Sequence, residues 1–261
     1  LAEVIVVKIG GATLGSQDTT IEDIVTLQQR GKLLVVVHGG GKVVTEWLTK
    51  QGISTRFVHG ERVTDQATLE IVTAVLAGLV NKEIVAAINN LGGQAIGISG
   101  IDGGLIQGKI KDVELGYVGA VAKVNPALLE TLLKAGYIPV ISPLILYSFE
   151  RPTNAPQILN INGDPVAGEV AAVIGAERLI FLTDVVGVCD QSGKLLPRLS
   201  AREAEALVNS GVASEGMIPK IKACLRALTS TSLTRIIDGR KPHALLREVE
   251  GRGDGTTIYA G

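Results

Sequence analysis

Lys8 closes the apolar run VIVVK and is followed, after Ile9, by Gly10-Gly11. A lysine ending a buried strand can bury its stem and carry its ammonium to the sheet edge. The competing reading is the solvated end of an edge strand, which a wholly apolar first strand disfavours. A second run, LLVVVH, ends in Gly39-Gly40-Gly41. Bare amides at a turn or helix start hold phosphate or carboxylate without a charged side chain, and open α/β sheets bind ligands at that edge. Either glycine run alone is equally a tight strand-to-helix turn. Two runs at equivalent strand ends favour binding.

Other residues could complete such a site. Lys220, in GMIPKIK, is compatible with a second cation or, like Lys222, with helix surface. Preorganised cations suit a migrating phosphoryl group with spread negative charge. Asp164 stands at a predicted helix start, where it could cap the helix or hold two ammonium groups in position. Asp184 ends LIFLTD, at a sheet edge, and could touch a nucleotide or simply form a turn. Arg62, in HGERVTD, stands immediately before a predicted helix. It could clamp a carboxylate through two parallel hydrogen bonds or pair with Glu61 or Asp65. Asn160 and Asn162 share a face if NIN is extended, and suit polar substrate groups. His38 could orient the glycine loop or pack as a polar residue.

Familiar motifs fail. Lys42 is followed by Val43, where a Walker A loop needs Ser or Thr, and Val44 stands where a dinucleotide fingerprint needs glycine. His38, His59 and His243 show no metal-ligand spacing, no metal site is assigned to the protein, and there is no GxSxG elbow. Cys189 and Cys224 lack a CxxC or His-paired pattern and are expected as reduced core residues.

The elements that must position these groups alternate between strand and helix. VIVVKIG, LLVVV, QAIGISG, YIPVIS and RLIFLTDV read as buried strands, with helices over 19–31 (Thr-capped), 42–52, 64–91 (interrupted or kinked near Gly78), 125–136 and from Asp164. Continuous apolar strands between helices predict a mostly parallel sheet covered on both faces. GGLIQGKI and GYVGAVAKV read as hairpin pieces, ERPTNAPQ as a loop, Ser200 and Glu203 as a capping box, and GTTIYA as a last edge strand. Composition agrees with a globular chain: 46% hydrophobic and 20% charged. The net charge of -1 gives no general attraction to nucleic acid or membrane. Mean hydropathy is +0.34, but the apolar runs look short and broken, none approaching a membrane span. A cytoplasmic location is the simplest expectation.

Together VVKIGG, VVVHGGGK, HGERVTDQATLEIV, GLVNKEIV, GYVGAV, NINGD, LTDVVGV, EGMIPKI and IIDGRKPHALLREV resemble the N-acetylglutamate kinases of the amino acid kinase superfamily. The motifs run in order along essentially the whole chain. The resemblance implies a three-layer αβα sandwich, with acetylglutamate bound in an N-terminal lobe (1–175, also the dimerising one) and ATP in a C-terminal lobe (176–261). It implies transfer of phosphate from ATP, with Mg²⁺ held mainly by the phosphates, to the γ-carboxylate of N-acetyl-L-glutamate. Lys8 and Lys220 match the lysines that stabilise the phosphoryl group, and Asp164 the acid that organises them. Gly40, Gly41, Arg62 and Asn160 match acetylglutamate positions. Gly10 and Gly11, Asp184 through Cys189 (Val185, Val186, Gly187 and Val188 between), and Val212, Ala213 and Ser214 match nucleotide-contacting loops.

One departure is Gly163, where the family pattern has Ala. It invites comparison with the relative acting on carrier-bound α-aminoadipate in lysine biosynthesis, although Gly116–Gly119 follows the acetylglutamate pattern without a basic insertion. A non-catalytic nucleotide or amino-acid sensor is the other alternative, and it would leave the lysine pair without a task. By analogy a homodimer is expected, and no extra N-terminal helix precedes Val4, so insensitivity to arginine is expected too.

Overall fold

The computed structural model describes residues 3–10 and 19–261. The chain begins with β1 (Val4–Ile9), α1 (Thr20–Gln29), β2 (Leu33–His38), α2 (Gly41–Lys50), β3 (Phe57–Val58), β4 (Glu61–Arg62) and α3 (Gln66–Thr73). A π-helical stretch, Ala74–Val80, joins α3 to α4 (Asn81–Asn90). Next come β5 (Ala95–Ser99), β6 (Ile106–Ile110), β7 (Gly119–Val124), α5 (Ala127–Lys134), β8 (Ile138–Ser142), β9 (Leu144–Tyr147) and β10 (Ile158–Asn160). Then follow α6 (Gly163–Ile174), β11 (Arg178–Thr183), β12 (Arg198–Ser200) and α7 (Ala201–Asn209). Last are α8 (Ile218–Ala227), β13 (Leu233–Asp238), α9 (Ala244–Val249) and β14 (Thr256–Tyr259).

Eight strands form the central sheet in the order β12-β14-β13-β11-β1-β2-β8-β5. Pairing is parallel except where β14 meets β13. Alternate residues of β1 explain the layers, because successive side chains leave a strand on opposite faces. Val4 and Val6 pack with Val166, Val170 and Ile221 of α6 and α8. Ile5, Val7 and Ile9 pack with Ile24 of α1, Val44 and Leu48 of α2, and Ile84 of α4. A strand buried on both faces needs apolar residues throughout, and the αβα sandwich is the architecture expected from that pattern. A smaller sheet, β10-β9-β6-β7, and the β3-β4 hairpin stand beside it.

Three expectations need correction. GTTIYA is not the edge strand: β12 pairs outside it, and RLS is too short to stand out in sequence. Thr19 occupies the N-cap position of α1 without capping it; its hydroxyl accepts the backbone N–H of His243 at 2.6 Å. Gln66–Asn90 is one helical run long and apolar enough to cross a membrane, with mean hydropathy 1.8, contrary to the reading of short broken runs. The irregularity expected near Gly78 is a π-helical stretch, Ala74–Val80, between two α-helical segments. Leu69, Val72, Val80, Ile84 and Ile88 of this run are buried inside the protein.

Candidate active site

α6 begins at Gly163 and is capped by Asn162, whose side chain accepts the N–H of Asp164 at 2.9 Å. The capping role open to Asp164 is therefore filled two residues earlier. Its carboxylate turns inward instead, and the residue is 3% exposed. Lys8 Nζ stands 2.7 Å from Oδ1 as an ion pair rather than an aligned hydrogen bond. Lys220 donates to Oδ2 at 3.1 Å. Burial alone would push the Asp164 carboxyl up, but the two ammonium groups outweigh it and hold it below the usual carboxylate range. One carboxylate between two ammonium groups leaves a net positive charge, suited to an anion.

Topology brings these three together. Lys8 is near the carboxyl end of β1, and α8 starts at the same sheet edge because it descends to enter the parallel strand β13. Gly168 lets α6 and α8 approach closely: a Cβ there would stand 2.7 Å from the Ala223 carbonyl oxygen. Lys220 thereby reaches Asp164. Lys222 instead lines a separate cleft and is not at the triad.

A cavity of about 250 Å³ is lined by Lys8, Gly40, Gly41, Arg62, Asn160 and Gly163, among others. Gly40, at φ +152°, adopts a backbone conformation that L side chains avoid, and a Cβ there would stand 2.6 Å from Leu76 Cδ2. Gly41 opens α2, whose first-turn N–H groups have no intrahelical acceptor and carry the positive end of the helix dipole.

Arg62 lies in β4, with three residues between it and α3, rather than immediately before a helix. It donates to the Gly41 carbonyl at 2.9 Å and Thr45 Oγ1 at 2.7 Å, and stacks over Phe57 at 4.8 Å. Neither proposed salt bridge forms, since Glu61 pairs with Lys111 and Asp65 caps α3. Among the described residues no carboxylate pairs with Arg62, and burial lowers its pKa. A bound carboxylate would supply the missing charge. Asn160 donates to Thr64 Oγ1 at 3.1 Å, which leaves its carbonyl oxygen for a ligand donor. Asn162 is taken up by capping.

The residues matched to nucleotide loops are not all alike. Asp184, Val185 and Val186 are exposed after β11, whereas Gly187 and Val188 are buried. Val188 donates its N–H to Thr256 Oγ1 at 2.8 Å, and Cys189, half-buried and not in the core as expected, pairs through its backbone with Leu195. Val212 is half-buried, Ala213 packs into the core and Ser214 is exposed. Both loops sit at the same sheet edge as Lys8. Gly10 donates its N–H to the Leu182 carbonyl at 3.2 Å, and Gly11 lies outside the described residues. Among the described residues, no group of three or more His, Cys, Asp and Glu side chains could hold a metal ion.

The sequence profile of the amino acid kinase family matches residues 3–238. The chain belongs to the amino acid kinase family. It is 51% identical over 255 residues to the acetylglutamate kinase of Dehalococcoides mccartyi, covering 98% of this chain and 94% of that protein. The crystal structure of smu.665 from Streptococcus mutans superposes with a TM-score of 0.83 at 27% identity, covering all of both chains. N-acetylglutamate synthase from Neisseria gonorrhoeae, complexed with coenzyme A and N-acetyl-glutamate, gives a TM-score of 0.84 at 27% identity over 99% of this chain and 60% of that one. Membership of the family agrees with the layered αβα sheet. Gly168 helps to build the site, and its single sequence position carried no distinct signal.

Proposed function

We propose that this protein is an ATP-dependent carboxylate kinase that converts N-acetyl-L-glutamate to N-acetyl-L-glutamyl 5-phosphate, a step of arginine biosynthesis. The observation that carries the reading is the Lys8–Asp164–Lys220 cluster beside a cavity holding Gly40, Gly41, Arg62 and Asn160. The 51% identity with a bacterial acetylglutamate kinase supports the acceptor.

The γ-carboxylate is ionised near neutral pH and needs no general base. One of its oxygens attacks the γ-phosphorus in line; the bond to the β–γ bridging oxygen breaks, and ADP leaves with those electrons. The obstacle is the approach of two anions. Lys8 and Lys220 stabilise the migrating phosphoryl group, Asp164 holds their ammonium groups, and the Gly40 and Gly41 amides receive its oxygens. Arg62 takes the α-carboxylate and Asn160 the acetyl amide. ATP enters with Mg²⁺ as part of the substrate. Asp164 is already engaged by two lysines, so phosphate and water provide most of that ion's ligands.

In this reading residues 1–175 form the acetylglutamate lobe and residues 176–261 the ATP lobe, with Gly10, Gly11, Asp184–Cys189 and Val212–Ser214 around the nucleotide. The protein acts in the cytoplasm as a homodimer; the apolar groove beside Leu69, Ile101, Leu146 and Ile158, with Leu79 partly exposed, supports burial against a second copy.

The test is hydroxylamine trapping of an acyl phosphate formed from ATP and N-acetyl-L-glutamate, alongside glutamate and the Lys8→Gln variant. Product with acetylglutamate, little with glutamate and little with the variant is expected. Wild-type protein that binds ATP yet forms no acyl phosphate would overturn the assignment.

A further inference from the structure

Beneath the glycine loop runs a buried polar chain that the transfer scheme does not use. His38 is the last residue of β2 and is 0% exposed. Its Nδ1 lies 2.7 Å from the carbonyl oxygen of Gly39. A carbonyl only accepts, so Nδ1 carries the hydrogen and Nε2 is left as an acceptor. Asn81 Nδ2 stands 3.2 Å from that Nε2. The Asn81 amide is itself oriented from three sides: Nδ2 also donates to the Val140 carbonyl at 2.9 Å, and Oδ1 accepts from Lys82 Nζ at 3.1 Å. Lys82 is tied in turn to the Gly97 carbonyl at 3.1 Å. Gly97 leaves the notch for this arrangement, since a Cβ there would collide with Asn81 Oδ1.

Gly39 O and the Gly40 N–H belong to one planar trans peptide, so they point in opposite directions. Resting on that transferase reading, we infer that His38 and Asn81 are positioning residues. Asn81 selects the His38 tautomer, His38 holds the Gly39 carbonyl on the buried side, and the Gly40 N–H is thereby aimed into the cavity at the anion. Were this peptide to turn over, a carbonyl oxygen would replace the N–H in front of a negatively charged group. Gly40 has the rotational freedom to allow that turn, so the loop needs an external restraint. The π-helical stretch contributes to it: Leu76 and Val80 occupy the space a Gly40 side chain would take, and Asn81 follows immediately. A widened turn at a functional site is a known use of the π-helix. Burial keeps the imidazole neutral, lowering its pKa to about 4, as the relay requires.

Two substitutions separate this role from simple packing. His38→Asn keeps an N–H donor at the δ position, facing the Gly39 carbonyl. His38→Gln places its amide at the ε position, facing Asn81, and leaves that carbonyl unheld. His38→Asn is expected to keep kcat within about tenfold of wild type. His38→Gln and Asn81→Leu lower it about 100-fold, the scale of losing one oriented anion donor, while KM for ATP changes less than threefold. Equal kcat for the two His38 variants would overturn the inference. A second measurement needs no variant to fold: ¹⁵N spectra of histidine-labelled wild-type protein should show His38 as the Nδ1–H tautomer, and an Nε2–H tautomer would equally sink it. A wild-type protein without transferase activity would remove the reading on which this rests, whereas the tautomer assignment tests the relay by itself.

Discussion

Replacing Asp164 with Asn tests the central arrangement along two independent axes. The substitution keeps the side chain's shape and removes its charge. It leaves the Lys8 ammonium, whose side chain is 9% exposed, and the Lys220 ammonium, 19% exposed, facing each other without a counterion. Removing one partner of a buried pair costs about 3–5 kcal/mol, and the partial exposure of Lys220 argues for the lower figure, about 3 kcal/mol. For 261 residues the unfolding entropy is about 0.5 kcal/mol per kelvin, so the melting temperature should fall by roughly 5 °C. Kinetics give the second axis. The site gains a unit of positive charge, so ground-state binding of ATP should hold or tighten while kcat falls at least 100-fold, as the lysines lose their alignment. Calorimetry and initial-rate kinetics on the same preparation decide the matter. A variant that melts 5 °C lower yet keeps kcat within fivefold of wild type would show that Asp164 only stabilises the fold, and the mechanism would lose its organising acid.

Arg62→Lys keeps the charge and loses the planar fork, so KM for acetylglutamate should rise about 10- to 100-fold with kcat changed only a few-fold; an equal fall in kcat alone would move Arg62 into the chemistry. The folded pKa of His38, about 4, lies below its unfolded value of 6.5. The unfolded chain takes up that proton first as pH falls, and up to about 3 kcal/mol of stability should disappear between about pH 6.5 and 4. Denaturant titrations across that window would expose an error if stability stayed flat. Gly163→Ala places a methyl 3.1 Å from the His38 carbonyl oxygen and 3.5 Å from Lys8 Cε. The neighbours must shift by tenths of an ångström, so kcat should fall about threefold; a loss above 100-fold would mean the glycine is required at the acceptor.

The layered sheet was legible because its central strands are apolar on both faces, and Lys8 stood out as the charge interrupting the first of them. Gly39–Gly41 likewise announced a backbone with a special task. What sequence left undecided were choices between adjacent polar groups. Asp164 was read as a possible cap and Asn162 as a group for polar substrate atoms, and the observed hydrogen bond gives the cap to Asn162 and frees the acid. Arg62 had two acidic neighbours in sequence, yet its partners are the Gly41 carbonyl and Thr45, brought near by folding. Asn81 is 43 residues from His38, and although it falls within GLVNK, nothing in that motif tied it to the histidine. Such pairings depend on non-local contacts, which hydrophobic periodicity does not encode. Gly78 marked where the long helix would depart from regularity, but nothing local said that the departure would be a widened, π-helical turn.

β1 has four strands on one side and three on the other. When a twisted ribbon of strands flexes, displacement accumulates toward its margins, and an inner strand travels least. Lys8 stands on such an inner strand, held along both edges by parallel neighbours, so the ammonium is anchored by the interior of the sheet and not by its margins.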